Sequence, residues 1–379
     1  MAADWIVRNQ SLTDGSADWG RYQHTLTRYE LRNPARTGKL TTNWTTGNCV
    51  LSLLLMNEVT GKNEYLDSAA HGCKYLKSLQ TLDFRSKRIC GMIREDTPQC
   101  SWCHPRDALT AAWAMLHFGI KTGDMEYVDR ARIFAEWFKT YSFKKGYPAW
   151  SYYLEEGRPP LWLMGSFHGG SAMFFMDLYE YTGEKQWLDK VALPIVKTYC
   201  KIFSTKDGYH KIVVDPQTGR DLTGVDSDVS PLGWQHMHRF NDDFTALSLM
   251  KAYKLTGTEK YLNVAGSFLD WAIAGQNRNG SFGKPLVPSA GATLAIELVD
   301  MHRITKGDVY LRSAEKAVGY LLKLQETEIR DKRAFGGVYG NTVDFEWKSR
   351  HTLNVRVSSY AVAAFAKWAE QHEYTYYSA

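Results

Sequence analysis

The stretch Leu249-Met-Lys-Ala-Tyr-Lys-Leu-Thr-Gly257-Thr-Glu-Lys-Tyr261-Leu combines an apolar helix, a tight turn at glycine and the aromatic start of a second helix. The same pattern recurs at the turn glycines Gly61, Gly123, Gly183 and Gly307. A glycine just past a helix end adopts the left-handed backbone that other residues disfavour. The aromatic residue that follows can then pack between the two helices, so each copy predicts a helical hairpin.

The two helices of each hairpin differ in their apolar pattern. The first is apolar nearly all round, as in 168–179, whereas the second has one apolar face, as in 65–79. The first helices are therefore expected to form an inner ring and the second helices an outer ring. A sixth inner helix is predicted at 356–368, with 19–31 as its outer partner. The predicted fold is an all-α (α/α)6 toroid, a single domain over 1–379; the alternative is an open helical solenoid.

Composition excludes several classes of protein. Hydrophobic residues make up 44% and charged residues 23%, which is typical of a globular protein rather than a disordered one. The net charge of +5 is too balanced for a dedicated nucleic-acid binder but suits a small anionic substrate. No apolar run is long enough to cross a membrane. The start, Met1-Ala-Ala-Asp-Trp5, lacks a signal-peptide pattern, which predicts a soluble protein of the cytoplasm, or of the periplasm after signal removal.

Four soft ligands cluster at Cys90, Cys100, Cys103 and His104. They are compatible with a zinc site, with a local disulfide or with free structural thiols, and the sequence leaves these open. Asp226-Ser-Asp228-Val-Ser230 resembles the start of a calcium loop, but Pro231 stands where that loop needs glycine. The phosphate-binding and serine-hydrolase motifs do not occur. We expect no metal and no cofactor.

The geometry of such a toroid places the functional site. The turns within hairpins are short and lie on one face, whereas the connections between hairpins are long and lie on the other: 81–104, 142–167, 204–242, 275–288 and 327–355. Long loops over a rigid scaffold are where function concentrates. We therefore expect the site on that face, around the N-termini of the inner helices.

With six such hairpins, the chain resembles the (α/α)6 carbohydrate-active enzymes, above all the glucuronyl-hydrolase type. This type comprises unsaturated glucuronyl and rhamnogalacturonyl hydrolases and related β-glucuronidases. The resemblance rests on the architecture and on the Thr-Gly-x-x-x-aromatic turns, which uronate lyases and sugar epimerases share. It implies aspartates where inner helices begin, and Asp107 in His104-Pro-Arg-Asp107 fits one such place. The Gly-Asn-Gly-Trp stretch of unsaturated glucuronyl hydrolases is absent, which favours another uronate or sugar.

Glycoside cleavage requires one acid to protonate the leaving oxygen and one carboxylate to activate water or to stabilise the cation. The predicted pair is Asp107 with Asp242 or Asp243, assisted by His236 or His238. The alternative interpretation of Asp107 is a helix cap, and one of Asn241, Asp242 and Asp243 must cap the fourth inner helix. The His-x-His pattern also permits a metal site.

Substrate binding is assigned to polar and aromatic side chains on the same face. Two arginines, Arg350 and Arg356, can hold a substrate carboxylate by paired hydrogen bonds, unless Arg350 pairs with Glu346. The full set of predicted binding residues is Arg106, His168, Trp102, Trp162, Trp234, Asn241, Glu346, Arg350 and Arg356.

These features favour a glycoside hydrolase that removes a terminal uronic acid from an oligosaccharide. The expected partner is an acidic oligosaccharide, with no nucleic acid and no membrane. One alternative is a uronate lyase that uses His236, His238, Asn241 and Arg350; others are a sugar epimerase, a zinc-dependent toroid enzyme and a non-enzymatic helical-repeat binding protein.

Overall fold

A computed structural model describes residues 1–27, 39–225, 236–241, 243–284, 287–328, 331–340, 352–370 and 376–379. Its helices are α1 (Ala2–Arg8), α2 (Asn43–Thr60), α3 (Asn63–Ser78), α4 (Pro105–Thr122), α5 (Met125–Trp137), α6 (Ala172–Thr182), α7 (Lys185–Trp187), α8 (Leu193–Thr198), α9 (Thr245–Thr256), α10 (Glu259–Ala274), α11 (Pro288–Thr305), α12 (Asp308–Leu324) and α13 (Val355–Glu370). Wider π-type turns extend α5 through Phe138–Ser142, join α7 to α8 through Leu188–Ala192, and extend α8 through Tyr199–Phe203. Tighter 3₁₀ turns at Ser166–Ser171 and His236–Phe240 precede α6 and α9.

The inner ring consists of α2, α4, α6, α9, α11 and α13. Each packs against the next in this order, and α13 returns to α2. The outer helices α3, α5, α7 with α8, α10 and α12 pair with the first five of them. Residues 49–55 of α2 are buried without interruption, as expected of a helix covered on all sides. The predicted toroid of two concentric rings is confirmed.

The hairpin turns follow the predicted glycine rule with one exception. Gly61, Gly123, Gly183 and Gly257 have φ between 68° and 74°. In the fifth turn the left-handed residue is Lys306, with φ of 60°, so the prediction of Gly307 was wrong. The reason is local: lysine directly follows the last residue of α11, and glycine comes one position later, where it caps the start of α12.

The threonine that ends each first helix has a structural role. Its hydroxyl donates to the carbonyl four residues back, at 2.6–2.8 Å, and accepts from the amide two residues ahead, at 3.2–3.4 Å. The residues are Thr60, Thr122, Thr182, Thr256 and Thr305. Each hydroxyl thus links the last turn of the first helix to the amide that begins the second helix, which explains the repeated threonine.

The ring is closed by α1 and not by 19–31. Thr25–Thr27 forms strand β1, and residues 28–31 lie outside the described part of the chain. The backbone around Tyr22 pairs with neighbouring segments instead of coiling into a helix. Helix α1 packs against α13, α2 and α3. Its Trp5 is fully buried and donates from Nε1 to the carbonyl of Arg333 at 2.7 Å.

Short antiparallel strand pairs join the long connections. β1 pairs with β8 (Thr352–Asn354), and β2 (Trp102–Cys103) pairs with β5 (Tyr152–Tyr153). β6 (Met164–Gly165) pairs with β7 (Val213–Val214), whereas β3 (Phe143–Lys144) and β4 (Tyr147–Pro148) form a hairpin. Because three of these pairs link different connections, the connections gather on one face, at the N-termini of the inner helices. Within the described ranges, no helix is long and apolar enough to cross a membrane.

Candidate active site

A buried ionic cluster joins three inner-ring elements at this face. Arg106 is the second residue of α4, Asp243 lies just before α9, and Arg356 is the second residue of α13. Nη2 of Arg106 donates to Oδ2 of Asp243 at 2.7 Å, and Nη2 of Arg356 donates to Oδ1 at 3.4 Å. All three side chains are buried. Two guanidinium groups share one carboxylate, so the cluster carries a net positive charge.

The backbone around Asp243 is held in an uncommon conformation. Asp243 and Phe244 both have positive φ, at 52° and 69°. The carbonyl of Asp243 lies against Gly170, where an added methyl group would come within 2.0 Å of that oxygen. Glycine is thus required at 170 by the approach of a neighbouring backbone, and at 169 by the Thr245 side chain, which an added methyl group would meet at 2.3 Å. Strained, over-determined backbone of this kind is typical of functional sites.

Arg356 lies between two aromatic rings. Its guanidinium carbon is 3.7 Å from the centre of the Trp44 ring and 5.3 Å from that of Tyr360. The hydroxyl of Tyr360 donates to Oδ1 of Asp243 at 3.4 Å. Nε of Arg356 is buried and has no hydrogen-bond partner among the described residues. One buried donor of this arginine is therefore left unsatisfied by the described residues.

Asp107 is the third residue of α4 and only half-buried. Within the described ranges no hydrogen bond reaches its carboxylate. Its pKa is raised, first because burial disfavours the charge and then because Asp243 is near; His104, Arg106 and Arg356 act in the opposite direction. Asp107 is thus an accessible carboxyl group that keeps its proton to a higher pH than usual.

Glu95 is a second carboxyl group beside Asp107. It is buried, and its Oε2 accepts the amide hydrogen of His104 at 3.0 Å. Burial raises the pKa of Glu95 well above its usual range, and the charge of Asp107 raises it further. Two adjacent carboxyl groups of this kind titrate together. After one proton has left, the pair keeps the remaining proton to a higher pH.

Imidazole and indole rings lie next to the two carboxyl groups. Nδ1 of His104 donates to the carbonyl oxygen of Trp150 at 2.7 Å, and the His104 ring contacts Trp102 edge-on at 4.8 Å. His168 is buried, its pKa is lowered to about 3 by burial and by Arg106, and its Nδ1 has no partner within the described ranges. The Trp150 ring lies 6.2 Å from that of His168. A neutral imidazole therefore lies beside the ionic cluster.

The structure brings together Arg106, Asp107, His168, Trp102, Asp243 and Arg356 of the predicted site. His236 is exposed and lies beside Gly224, whereas His238 is buried. Asn241 is buried with its Oδ1 unpartnered among described residues. Trp162 lies under Lys144, whose Nζ is 3.7 Å from the ring centre, and beside Tyr147; these contacts belong to the β3–β4 hairpin. Asp242, Trp234, Glu346 and Arg350 lie outside the described residues, as do the residues of the predicted calcium-loop start from Asp226 onward.

The cysteine cluster forms no disulfide. Cys90, Cys100 and Cys103 are all free, as are the other three cysteines. The sulfur of Cys100 donates to the carbonyl of Trp102 at 3.4 Å, and Cys103 is fully buried. The described part of the chain contains no group of three or more histidine, cysteine or acidic residues placed to hold a metal ion. Of the three alternatives, these positions fit structural thiols.

Sequence reasoning missed Glu95, Trp44 and Tyr360 as members of the site. Trp44 is the second residue of α2, and so occupies in its helix the position of Arg106 and Arg356 in theirs. The second position of each inner helix was therefore an available signal. Glu95 lies in the long connection 81–104, which placed it on the functional face but gave it no role; the amide of His104 and the side chain of Asn43 hold its carboxylate.

No protein-family model and no curated protein sequence matches the chain. Solved structures of similar fold do match. An unsaturated glucuronyl hydrolase specific for heparin is 16% identical, with a TM-score of 0.70 over 97% of this chain and 95% of its own. A sugar epimerase from a ruminal bacterium is 12% identical, with a TM-score of 0.72 over 98% and 97%. A GH76 alpha-mannanase of Bacteroides thetaiotaomicron is 14% identical, with a TM-score of 0.66 over 97% and 93%. At such identities, the shared property is the (α/α)6-toroid fold of these carbohydrate-processing enzymes.

Proposed function

We propose that the chain is a glycoside hydrolase that removes a terminal uronic acid from an oligosaccharide. The observation that carries this proposal is the proton-retaining, accessible Asp107 directly beside a positively charged arginine cluster. The first feature suits a general acid, and the second suits an anionic sugar. The fold shared with carbohydrate-processing enzymes supports it.

The arginine cluster is proposed to bind the uronate carboxylate. Arg106 and Arg356 carry two positive charges, and Asp243 compensates only one of them. Nε of Arg356 has no partner among the described residues, and the guanidinium stacks on Trp44, so this donor is proposed to bind the carboxylate. Asp243 then keeps the two arginines in place, because both of its oxygens are already engaged.

Asp107 is proposed to protonate the leaving oxygen, because it is more exposed than the adjacent carboxyl group of Glu95. Glu95 behind it shares the proton of the pair. The second catalytic carboxylate is then Asp242 of the predicted pair, since Asp243 is occupied by the arginines. General acid catalysis typically contributes about 10²–10⁴-fold to a rate.

A second candidate is a reaction that begins with proton abstraction, as in a uronate lyase or a sugar epimerase. It is favoured by one observation: His168 is a buried neutral imidazole with Nδ1 unpartnered among the described residues. Its lowered pKa makes this ring a weak base, so the unpartnered Nδ1 alone favours this candidate, with Arg106 placed to stabilise negative charge on the substrate.

The test is a screen of an aryl glucuronide and of oligosaccharides with terminal uronic acids, saturated and unsaturated. Hydrolysis releases a reducing sugar, elimination creates an ultraviolet-absorbing double bond, and epimerisation changes the sugar without breaking the chain. We expect hydrolysis, and a loss of about 10²–10⁴-fold in Asp107→Asn.

Asp124→Asn is the matched control. Asp124 also begins a helix, but it caps α5 at a hairpin turn on the opposite face, and asparagine caps equally well. This variant is expected to keep full activity. Turnover in Asp107→Asn equal to that of the parent, or an unsaturated product, would contradict the proposed mechanism.

A further inference from the structure

Residues 376–379 enter the centre of the toroid from the face of the hairpin turns. Lys367 of α13 donates from Nζ to the carbonyl of Tyr377, and to Oγ of Ser378 at 3.2 Å. Asp300 of α11 accepts the amide hydrogen of Ala379 at 2.8 Å, and it also pairs with Lys367 at 2.7 Å. These anchors lie in the second halves of inner helices, far from where the helices begin. The segment therefore closes the end of the bore opposite the candidate active site.

Tyr377 reaches furthest into the bore. Its side chain is fully buried, and its ring centre lies 5.1 Å from that of Phe244 and 5.6 Å from that of Trp113. The Tyr360 ring lies 6.4 Å away, edge-on. Phe244 directly follows Asp243, so Tyr377 packs against the segment that carries the central carboxylate of the ionic cluster.

A directed chain of hydrogen bonds connects Tyr377 to that carboxylate. Its hydroxyl is 3.4 Å from Oδ1 of Asn48, Nδ2 of Asn48 is 3.0 Å from the hydroxyl of Tyr360, and this hydroxyl is 3.4 Å from Oδ1 of Asp243. An ionised carboxylate only accepts, so the Tyr360 proton points to Asp243 and its oxygen accepts from Asn48. The Tyr377 hydroxyl donates to Asn48, whose side-chain and backbone oxygens both lie 3.4 Å from it. The two bonds from Asn48 through Tyr360 to Asp243 therefore each have one defined direction.

Burial keeps both phenols in the donor state. It raises the pKa of Tyr360 to about 12, and that of Tyr377 well above its usual range. Buried polar chains of this kind fix side-chain orientation only when every member is satisfied. Without the hydroxyl of Tyr377, Oδ1 of Asn48 loses a side-chain donor, and the amide is held by its bond to Tyr360 alone.

We propose that Tyr377 is a positioning residue: it acts through Asn48 and Tyr360 to hold Asp243, and with it Arg106 and Arg356, in the arrangement that binds the substrate. The catalytic consequence rests on the function proposed above. The structural consequence, a fixed Asp243 segment, does not depend on it.

The experiment compares Tyr377→Phe, Tyr360→Phe, the double variant and the control Tyr376→Phe. Tyr376 is the adjacent buried tyrosine; its ring contacts His117, and no hydrogen bond joins its hydroxyl to Asn48, Tyr360 or Asp243. With the substrate that the screen identifies, Tyr377→Phe is expected to lower kcat/KM about fivefold to tenfold, as for one lost hydrogen bond, and to lower Tm slightly because that bond is buried. Because Tyr377 acts through Tyr360, its substitution in the Tyr360→Phe background should cost less than about twofold. Tyr376→Phe should change neither value.

A second measurement needs no substrate. Amide hydrogen exchange of the peptide that spans 243–250 is expected to speed up in Tyr377→Phe and to stay unchanged in Tyr376→Phe. If the screen finds no turnover, the proposed function fails while this measurement still decides the positioning role. Unchanged exchange in Tyr377→Phe, or losses in kcat/KM that multiply fully in the double variant, would overturn the proposal.

Discussion

Glu95 is a carboxyl group whose protonation is coupled to folding. Its pKa is raised in the folded chain because it is buried and faces Asp107. The folded state therefore binds this proton more tightly than the unfolded state does. The stabilisation from this proton is complete at acidic pH, and it is lost as the pH rises from the usual carboxyl pKa through the raised one.

Glu95→Gln removes this dependence, because the amide keeps the shape and carries no charge. We expect the variant to have a higher Tm than the parent at about pH 8, and no advantage at about pH 5. Thermal unfolding across this range measures it. Glu126→Gln is the control of opposite sign: Glu126 is exposed, and its hydrogen bonds with Lys77 and Arg130 lower its pKa, so its substitution should give no gain at alkaline pH. Parallel curves for the parent and Glu95→Gln would refute the assignment of a buried acid.

At the scale of residues, sequence predicted which positions are polar at the starts of inner helices but not how they pair. Arg106, Asp107, Asp243 and Arg356 were all singled out, and they do lie together. That Asp243 is shared by the two arginines could not be foreseen, because the partners are separated by more than a hundred positions and meet only through ring closure. Their roles in binding and catalysis stay predictions.

At the scale of elements, the fifth hairpin turn offers a test of the glycine rule. Lys306 is exposed and left-handed, a conformation that costs a residue with a side chain about 1–2 kcal/mol. Lys306→Gly should therefore raise the free energy of unfolding by up to about 1 kcal/mol, after the entropic cost of a new glycine. Urea unfolding measures the change.

The reciprocal substitution, Gly257→Lys, should lower the free energy of unfolding by about 1 kcal/mol, because Gly257 occupies the same left-handed position with φ of 68°. An added side chain meets no neighbour there, so conformation alone is tested. Effects of the same sign in the two variants would show that backbone conformation does not control these turns.

The elements themselves were largely predictable from sequence, because each hairpin repeats one pattern of apolar residues, threonine and glycine. The irregular parts were not. The π-type turn at Leu188–Ala192 runs into Pro194, which has no N–H to donate, but a proline at this place does not by itself predict a π-type turn. The 3₁₀ turn at Ser166–Ser171 arises where Gly170 must admit the backbone of Asp243, which is a long-range contact.

At the scale of the whole molecule, sequence predicted a closed ring and chose the wrong segment to close it. Helix α1 has seven residues, too few to display a helical period, whereas 19–31 is longer and contains apolar residues. A tertiary contact decides which segment closes the ring. An added methyl group at Gly337 would meet the Trp5 ring at 2.8 Å, so the chain near 337 packs directly against that indole.

Substitution of Trp5 and of Trp19 tests which of the two segments, α1 or 19–31, closes the ring. Trp5→Ala removes a fully buried indole from the junction of α1 with the inner ring, and should lower the free energy of unfolding by about 3–5 kcal/mol. Trp19→Ala removes a half-buried ring that contacts His71 edge-on and lies under Lys74, and should cost less than about 2 kcal/mol.

Because each inner helix packs on the next around the whole circle, loss of the α1 junction should also expose the contact between α13 and α2. Hydrogen exchange in both helices should therefore speed up in Trp5→Ala and not in Trp19→Ala. Equal losses in the two variants would mean that α1 lies on the toroid without closing it.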